Sequence, residues 1–74
     1  MFEKVRDILA SLLGVDAETI TPDTDIADDL GADSLDIIEF LNELEDEFSI
    51  VIDQNSVENV RTVGQVAEII EKLV

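Results

Sequence analysis

Apolar residues recur at three- and four-residue intervals in three separate stretches of the chain. Over Phe2–Leu13 they fall within one arc of about 140° when each residue turns by 100°, and most charged side chains lie opposite. Gly14 follows, at the position where a glycine commonly ends a helix. The same spacing predicts a second helix over Ser34–Phe48 and a final helix that Thr62 caps, with Gln65 completing a capping box.

The connections between these helices lack helical spacing. Pro22 blocks a helix through the first connection, residues 15–33, which is therefore predicted to be a long loop. Its apolar residues expected in the core are Ile20, Ile26 and Leu30. In the second connection, residues 49–52 are predicted to be an extended connector and Asn55–Asn59 a short helical turn.

The chain is therefore predicted to be all-α, a small four-helix bundle of three main helices plus one short helix, with a long loop between the first two helices. Its length predicts a single domain over residues 1–74. The stripe predicted to be buried on the final helix comprises Val63, Val66, Ile70, Leu73 and Val74.

Acidic residues dominate the charge of the chain. There are 19 acidic and 4 basic residues, a net charge of −15, and no Lys or Arg lies between Asp7 and Val60. Such a chain repels nucleic acid and attracts basic partners. No apolar run reaches the ~18 residues of a membrane span, no signal-peptide pattern is visible, and no cysteine is present to form a disulfide. We therefore expect a soluble protein that is cytoplasmic or a mature organellar form, and we expect it to be a monomer.

Ser34 is the candidate functional residue. Asp33 is predicted to cap the second helix, which places the Ser34 hydroxyl in the first turn, close to Asp33 and Asp36. The chain has no His or Cys, and exposed carboxylates are weak bases at neutral pH. Ser34 is therefore predicted to be a poor nucleophile and a point of attachment for a group that another enzyme adds. The alternative interpretations are that Ser34 only starts a helix or that it is the nucleophile of a hydrolase.

Four of the aspartates in the long loop raise the question of a calcium site: Asp23, Asp25, Asp28 and Asp29. An EF-hand loop that started at Asp23 would have Ala27 at its fifth position and Asp28 in place of the glycine at its sixth. The spacing excludes an EF-hand, and no metal site is predicted.

The second helix has three faces in helical projection. One face is apolar and predicted to belong to the core, and a second is acidic. Leu35 and Ile38 lie on the third face, beside Ser34. From the pattern alone, these two side chains fit either the edge of the core or an exposed contact patch.

Residues 28–36 have the sequence DDLGADSLD, which resembles the prosthetic-group site of the acyl carrier proteins, and the resemblance extends over nearly the whole chain. It implies that Ser34 carries 4'-phosphopantetheine, transferred from coenzyme A by a carrier-protein phosphopantetheinyl transferase. The resemblance also implies that the second helix docks on basic patches of fatty acid synthesis enzymes and acyltransferases, through Asp33, Leu35, Asp36, Ile38, Glu39, Asn42, Glu45 and Asp46. Asn42 departs from the family, in which methionine is common at this position, and this departure puts the range of partners in question.

In the same family the acyl chain is sheltered between the second and third helices. The matching residues are Ile37, Leu41, Leu44, Val57, Val60 and Val66. Several are bulkier than is usual at these places, so we expect a shorter or narrower pocket. The predicted function is a non-enzymatic carrier that shuttles acyl thioesters among enzymes of fatty acid biosynthesis. A carrier in a specialised acyl or polyketide pathway and an acidic, non-catalytic interaction module are the alternatives.

Overall fold

The fold comes from a computed structural model that describes the backbone of residues 1–74 and every side chain except that of Gln54. The elements in chain order are α1 (Phe2–Leu13), a first 3₁₀ turn (Ala17–Thr19), α2 (Ser34–Phe48), a second 3₁₀ turn (Gln54–Val57) and α3 (Val63–Leu73). The described backbone contains no β-strand, and an isolated bridge pairs Asp25 with Thr62. The predicted all-α fold is confirmed. Its short helical element is the second 3₁₀ turn, which starts one residue before the predicted Asn55–Asn59.

Local polar contacts set the ends of the helices. Asp33 caps α2, because its Oδ1 accepts the Asp36 amide at 2.9 Å while Asp36 Oδ2 accepts the Asp33 amide at 3.2 Å. Thr62 and Gln65 form the same reciprocal arrangement at the start of α3. Gly14 ends α1 in the left-handed conformation with φ 70°, which glycine adopts without a steric penalty. All three ends agree with the sequence-based predictions.

The hydrophobic core lies between the three α-helices, and α1 packs against both of the others. The largest fully buried side chains are Val5 and Leu9 of α1, Phe40 and Leu44 of α2, and Val63 and Ile70 of α3. Full burial of one such side chain contributes about 1.5–3 kcal/mol. From the long loop, Ile20 and Ile26 are buried as predicted and Leu30 is half-buried. Three buried alanines complete the core: Ala10, Ala32 and Ala67.

The prediction that Leu73 and Val74 are buried is wrong. These side chains are 44% and 63% exposed, whereas Ile70, one turn earlier on α3, is fully buried. The end of α3 therefore extends past the elements that cover its middle. Apolar spacing defines a stripe along a helix but not where the neighbouring elements stop.

The long loop between α1 and α2 is attached to the start of α3. Three backbone hydrogen bonds join them: Ile26 N–H to Arg61 O at 2.9 Å, Val63 N–H to Thr24 O at 3.1 Å, and Gly64 N–H to Pro22 O at 2.9 Å. A Cβ atom at Gly64 would lie 2.8 Å from Pro22 O, so this close approach requires glycine. The loop that leads to Ser34 is thereby held against α3.

The residues immediately before α2 are also fixed in place. Gly31 donates its amide to Ala27 O at 3.0 Å and adopts φ 71°, in the left-handed region that favours glycine. Ala32 donates its amide to Ile26 O at 3.2 Å, and its side chain is buried in the core. Ser34 therefore begins α2 directly after an anchored segment.

Candidate functional site

Ser34 is the first residue of α2 and is exposed. Asp33 and Asp36, its acidic neighbours, each use one carboxylate oxygen to hold the other's backbone amide. An exposed carboxylate is in any case a weak base at neutral pH. The site therefore presents a hydroxyl without activating it, which suits modification by another enzyme.

Two apolar side chains next to Ser34 lie outside the core. Leu35 is 63% exposed and Ile38 is 48% exposed. Of the two interpretations that the sequence leaves open for this flank, the structure therefore favours a surface patch over the edge of the core. Exposed apolar side chains next to charged ones are typical of contact surfaces.

The structure places all eight predicted contact residues at accessible positions on α2 or on its cap. Asp33, Leu35, Ile38, Glu39, Asn42 and Asp46 are exposed, and Asp36 and Glu45 are half-buried. The last turn of α2 contains Glu45, Asp46 and Glu47 and no basic residue. Negative charge at this end opposes the helix dipole and costs about 0.3–1 kcal/mol per residue. Helix stability therefore does not explain why these acids are here.

Glu45 has a structural contact that the sequence does not reveal. Its Oε2 accepts the backbone amide of Ile52 at 2.9 Å, and Ile52 is buried. Its backbone oxygen accepts the Ile50 amide at 3.2 Å. Glu45 therefore ties the connector after α2 back onto the helix. Such a bond depends on how the chain reverses after Phe48, which residue spacing does not encode.

An apolar groove begins at Ser34. This entrance groove has a volume of about 260 Å³ and is lined by Ser34, Ile37, Ile38, Leu41 and Val57. It adjoins an inner cavity of about 90 Å³, with which it shares Ile37, Leu41 and Val57. The exposed hydroxyl therefore lies at a groove that is adjacent to the largely apolar inner cavity.

Five of the six residues predicted to line an acyl pocket do line the inner cavity: Ile37, Leu41, Val57, Val60 and Val66. Leu44 does not line it, because it is fully enclosed in the core. Helical spacing groups Leu44 with Ile37 and Leu41 on one apolar stripe, although they contact different neighbours. Ile26, Ala27 and Phe40 also line the cavity, and the sequence analysis missed them.

The inner cavity also has two charged residues in its lining, Asp25 and Arg61. Arg61 Nε lies 3.5 Å from Asp25 Oδ2, and Arg61 Nη2 lies 3.4 Å from Asp28 Oδ2. The sequence analysis missed both residues as part of a site. One feature of the sequence could have singled out Arg61, because it is the first basic residue after Arg6.

The loop aspartates take part in local bonds. Asp29 Oδ2 accepts the Asp25 amide at 2.8 Å, while Asp25 and Asp28 pair with Arg61. Among the side chains that the structure describes, no group of three or more acidic residues is arranged to hold a metal ion. None of the described helices combines the length and the apolar character needed to cross a membrane.

Comparison with known proteins identifies the family. Residues 3–70 match the family described as the phosphopantetheine attachment site. The chain is 36% identical to an acyl carrier protein from Enterococcus faecalis, with a TM-score of 0.81 over 99% of this chain and 92% of that one. It is 34% identical to a chain from Mycobacterium tuberculosis that is provisionally assigned as an acyl carrier protein, with a TM-score of 0.88 over 97% of each. The chain belongs to the acyl carrier proteins.

This acyl carrier protein is a non-catalytic carrier, and its cofactor is covalently bound 4'-phosphopantetheine. Carriers of this family interact with a phosphopantetheinyl transferase and with biosynthetic enzymes. The geometry around Ser34 fits such a group. The amino end of α2 has a partial positive charge that favours a phosphate, and the entrance groove starts at the same residue.

Proposed function

We propose that Ser34 bears the 4'-phosphopantetheine, and that a single carrier domain over residues 1–74 shuttles acyl thioesters among enzymes of fatty acid biosynthesis in the cytoplasm. One observation supports this assignment above the others. Ser34 is an exposed residue in the first turn of α2, and it also lines the groove that adjoins the inner cavity. A group attached there can extend towards a partner enzyme or fold back towards the apolar space.

Loading requires a base and a cation from the transferase, because the groups closest to Ser34 are carboxylates. The Ser34 hydroxyl loses its proton, and its oxygen forms a phosphoester bond with the phosphorus atom of coenzyme A that is bonded to the pantetheine part. The phosphoanhydride bond breaks and adenosine 3',5'-bisphosphate leaves. The attached group supplies the thiol that holds an acyl cargo as a thioester. Tethering through Ser34 then makes each transfer effectively intramolecular when a partner docks.

The docking surface in this proposal is the exposed side of α2. Leu35 and Ile38 provide an apolar centre, and the acids at the carboxyl end of the helix provide a negative rim. A negative surface speeds association with basic partners without making the complex tight, which suits a carrier that must leave each enzyme. Glu39, Asn42 and Asp46 are exposed on this helix and belong to the rim. Glu45 contributes charge while it holds Ile52.

The inner cavity is proposed to shelter the start of the acyl chain. Its volume of about 90 Å³ and its branched lining residues support a preference for short chains. This preference is tested by thermal denaturation, which gives the unfolding midpoints of the carrier loaded with medium and with long acyl groups. Equal midpoints for the two loaded forms contradict it.

A second candidate function is a carrier for a specialised acyl pathway. The observation that favours it is the presence of Asp25 and Arg61 in the cavity lining, because a cavity built only for hydrocarbon has no need of charged groups. The acyl groups found on the protein isolated from its native host distinguish the two candidates.

The attachment site is tested by intact mass. Incubation with coenzyme A and a carrier-protein transferase is expected to add one phosphopantetheine to the wild type and none to Ser34→Ala. Ser56→Ala removes another exposed serine and is the matched control, which is expected to load fully. Loading of Ser34→Ala, or a folded wild type that stays unmodified, rules out Ser34 as the attachment point.

A further inference from the structure

The inner cavity is lined mainly by apolar residues and contains one pair of charged side chains, Asp25 and Arg61. The shared wall consists of Ile37, Leu41 and Val57, all apolar. Asp25 and Arg61 line only the inner cavity and not the groove. The charged pair therefore belongs to the part of the cavity lining that the groove does not share.

Asp25 is held rigidly at this place. Its Oδ1 accepts the amides of Ala27 at 3.0 Å and Asp28 at 2.8 Å, and its side chain is only 20% exposed. The second oxygen faces Arg61 at 3.5 Å. Because two backbone amides fix the carboxylate, it cannot turn away from the cavity when cargo enters.

The main chain of Arg61 is fixed on both sides. Its amide donates to Gln65 Oε1 at 2.8 Å, and its carbonyl oxygen accepts the Ile26 amide at 2.9 Å. These two bonds hold the start of the arginine side chain at the cavity lining. The guanidinium itself is positioned only by its contacts with Asp25 and Asp28.

The guanidinium of Arg61 retains capacity for further hydrogen bonds. A guanidinium has five N–H donors, and charge-assisted bonds to carboxylates are usually about 2.7–2.9 Å long. The contacts of Arg61 with Asp25 and Asp28 are longer, at 3.5 and 3.4 Å, and its side chain is 71% exposed. Donors thus remain available for an acceptor on the cargo.

We propose that Arg61 selects the cargo: the cavity prefers a short acyl chain with a hydroxyl or keto oxygen over a plain alkyl chain of the same length. This inference rests on attachment at Ser34. An alkyl chain in the cavity offers no acceptor to the N–H donors of Arg61. A cargo oxygen accepts a hydrogen bond from an N–H of Arg61.

The test compares matched cargoes on the same protein. The transferase loads the carrier from butyryl- and 3-hydroxybutyryl-coenzyme A, and from hexanoyl- and 3-hydroxyhexanoyl-coenzyme A. Intact mass confirms each adduct, and thermal denaturation gives the midpoint. For each pair, the hydroxylated form is expected to melt at least about 4 °C above the plain acyl form. Equal midpoints in the wild type overturn the inference.

Variants assign the preference to Arg61. Arg61→Leu is expected to abolish the difference between the hydroxylated and plain forms, whereas Lys72→Leu, which removes an equal charge from an exposed position of α3, is expected to keep it. A preference that survives in Arg61→Leu overturns the proposal. If neither cargo is attached by the transferase, both the Ser34 assignment and this inference fail. Attachment without a midpoint difference overturns this inference alone.

A measurement on the wild type removes any dependence on the folding of Arg61→Leu. The ¹⁵N resonance of Arg61 Nε is recorded for the carrier loaded with butyryl and with 3-hydroxybutyryl groups. A shift specific to the hydroxylated cargo is expected, with the Arg6 Nε resonance unchanged as the internal reference. An Arg61 resonance identical in the two loaded forms contradicts a contact with the cargo.

Discussion

The two apolar sides of α2 are packed differently. Leu44 is fully buried in the core that α1 and α3 complete and does not line the inner cavity, whereas the equally buried Phe40 lies at the boundary and does line it. Ile37 and Leu41, on the same helix, are only half-buried and line a cavity. Apolar side chains of α2 are therefore close-packed on the side that faces the core and only half-buried on the side that faces the cavity.

This difference separates stability from cargo handling. A close-packed side resists local opening, whereas a side with few buried contacts opens at low free energy. Val57 and Val60, which belong to or follow the second 3₁₀ turn, are also half-buried and face the cavity. We therefore expect the half-buried residues of the cavity lining to move more readily than the core residues that share it.

The largest expected effect is on the close-packed side. Leu9→Ala removes a fully buried side chain and is expected to lower the free energy of unfolding by about 2–5 kcal/mol, since the neighbouring core refills the space only in part. Urea denaturation followed by circular dichroism measures the loss. In a domain of this length such a loss removes much of the total stability.

Leu41→Ala is the matched change on the open side. Because Leu41 is half-buried beside an existing cavity, the variant is expected to lose clearly less stability than Leu9→Ala. Its cavity is larger, so the thermal stabilisation by longer acyl groups is expected to increase. Equal losses of stability in the two variants contradict the distinction between the two sides of α2.

The next effect is at the contact between the long loop and α3. Gly64→Ala places a Cβ 2.8 Å from Pro22 O and 3.0 Å from Pro22 Cβ. Overpacking of this kind costs about 1–3 kcal/mol, and the better helix propensity of alanine offsets up to about 1 kcal/mol. Amide exchange at Ile26 and Gly64 is expected to quicken as the loop separates from α3. Unchanged exchange at both amides contradicts the role given to this contact.

Residue spacing was sufficient to predict the helices. The bounds of α1 and α2 and the capping boxes follow from local patterns, because each depends on residues within a few positions of one another. The approach of Gly64 to Pro22 joins residues far apart in sequence, and no local pattern indicates it. The same reason explains why Arg61 was not assigned to the cavity.

Burial was predicted less completely than helix position. Ala10 and Ala32 are buried but were not predicted to be, because alanine occurs on exposed and buried faces alike. Leu44 was assigned to the pocket, because a helical projection shows which residues share a stripe but not which element each one contacts. Ser34 was predicted to be the attachment point because its neighbours resemble a known motif and because the chain lacks a base that could make it a nucleophile.

A smaller effect is expected at Glu45, which joins the docking side of α2 to the connector. Glu45→Ala leaves the Ile52 amide without its acceptor and is expected to cost about 1 kcal/mol. Glu45→Gln keeps an acceptor oxygen and is expected to retain most of that stability. Hydrogen exchange at the Ile52 amide measures the difference. Equal protection in the alanine and glutamine variants contradicts the bond as the cause.

The smallest effect on stability is expected at the exposed acids of α2. Glu39→Lys relieves repulsion with Asp36 and Glu43 on the same helix, so it is expected to raise the free energy of unfolding by about 0.3–0.5 kcal/mol. Association with the transferase is expected to slow several-fold at low salt, and the difference from wild type is expected to shrink at high salt. Glu68→Lys, on an exposed position of α3, controls for net charge. Equal slowing by both variants contradicts a specific docking role for α2.

The anchored segment before α2 also determines what a loading enzyme can recognise. Gly31 and Ala32 bond to Ala27 and Ile26, and Ile26 in turn bonds to the chain just before α3. The shape around Ser34 is thus made by residues from distant parts of the sequence. A synthetic peptide of residues 28–42 contains every residue of the motif but none of these bonds. It should therefore be a poor substrate for the transferase, even at high concentration. The modification then serves as a report that the entire domain has folded.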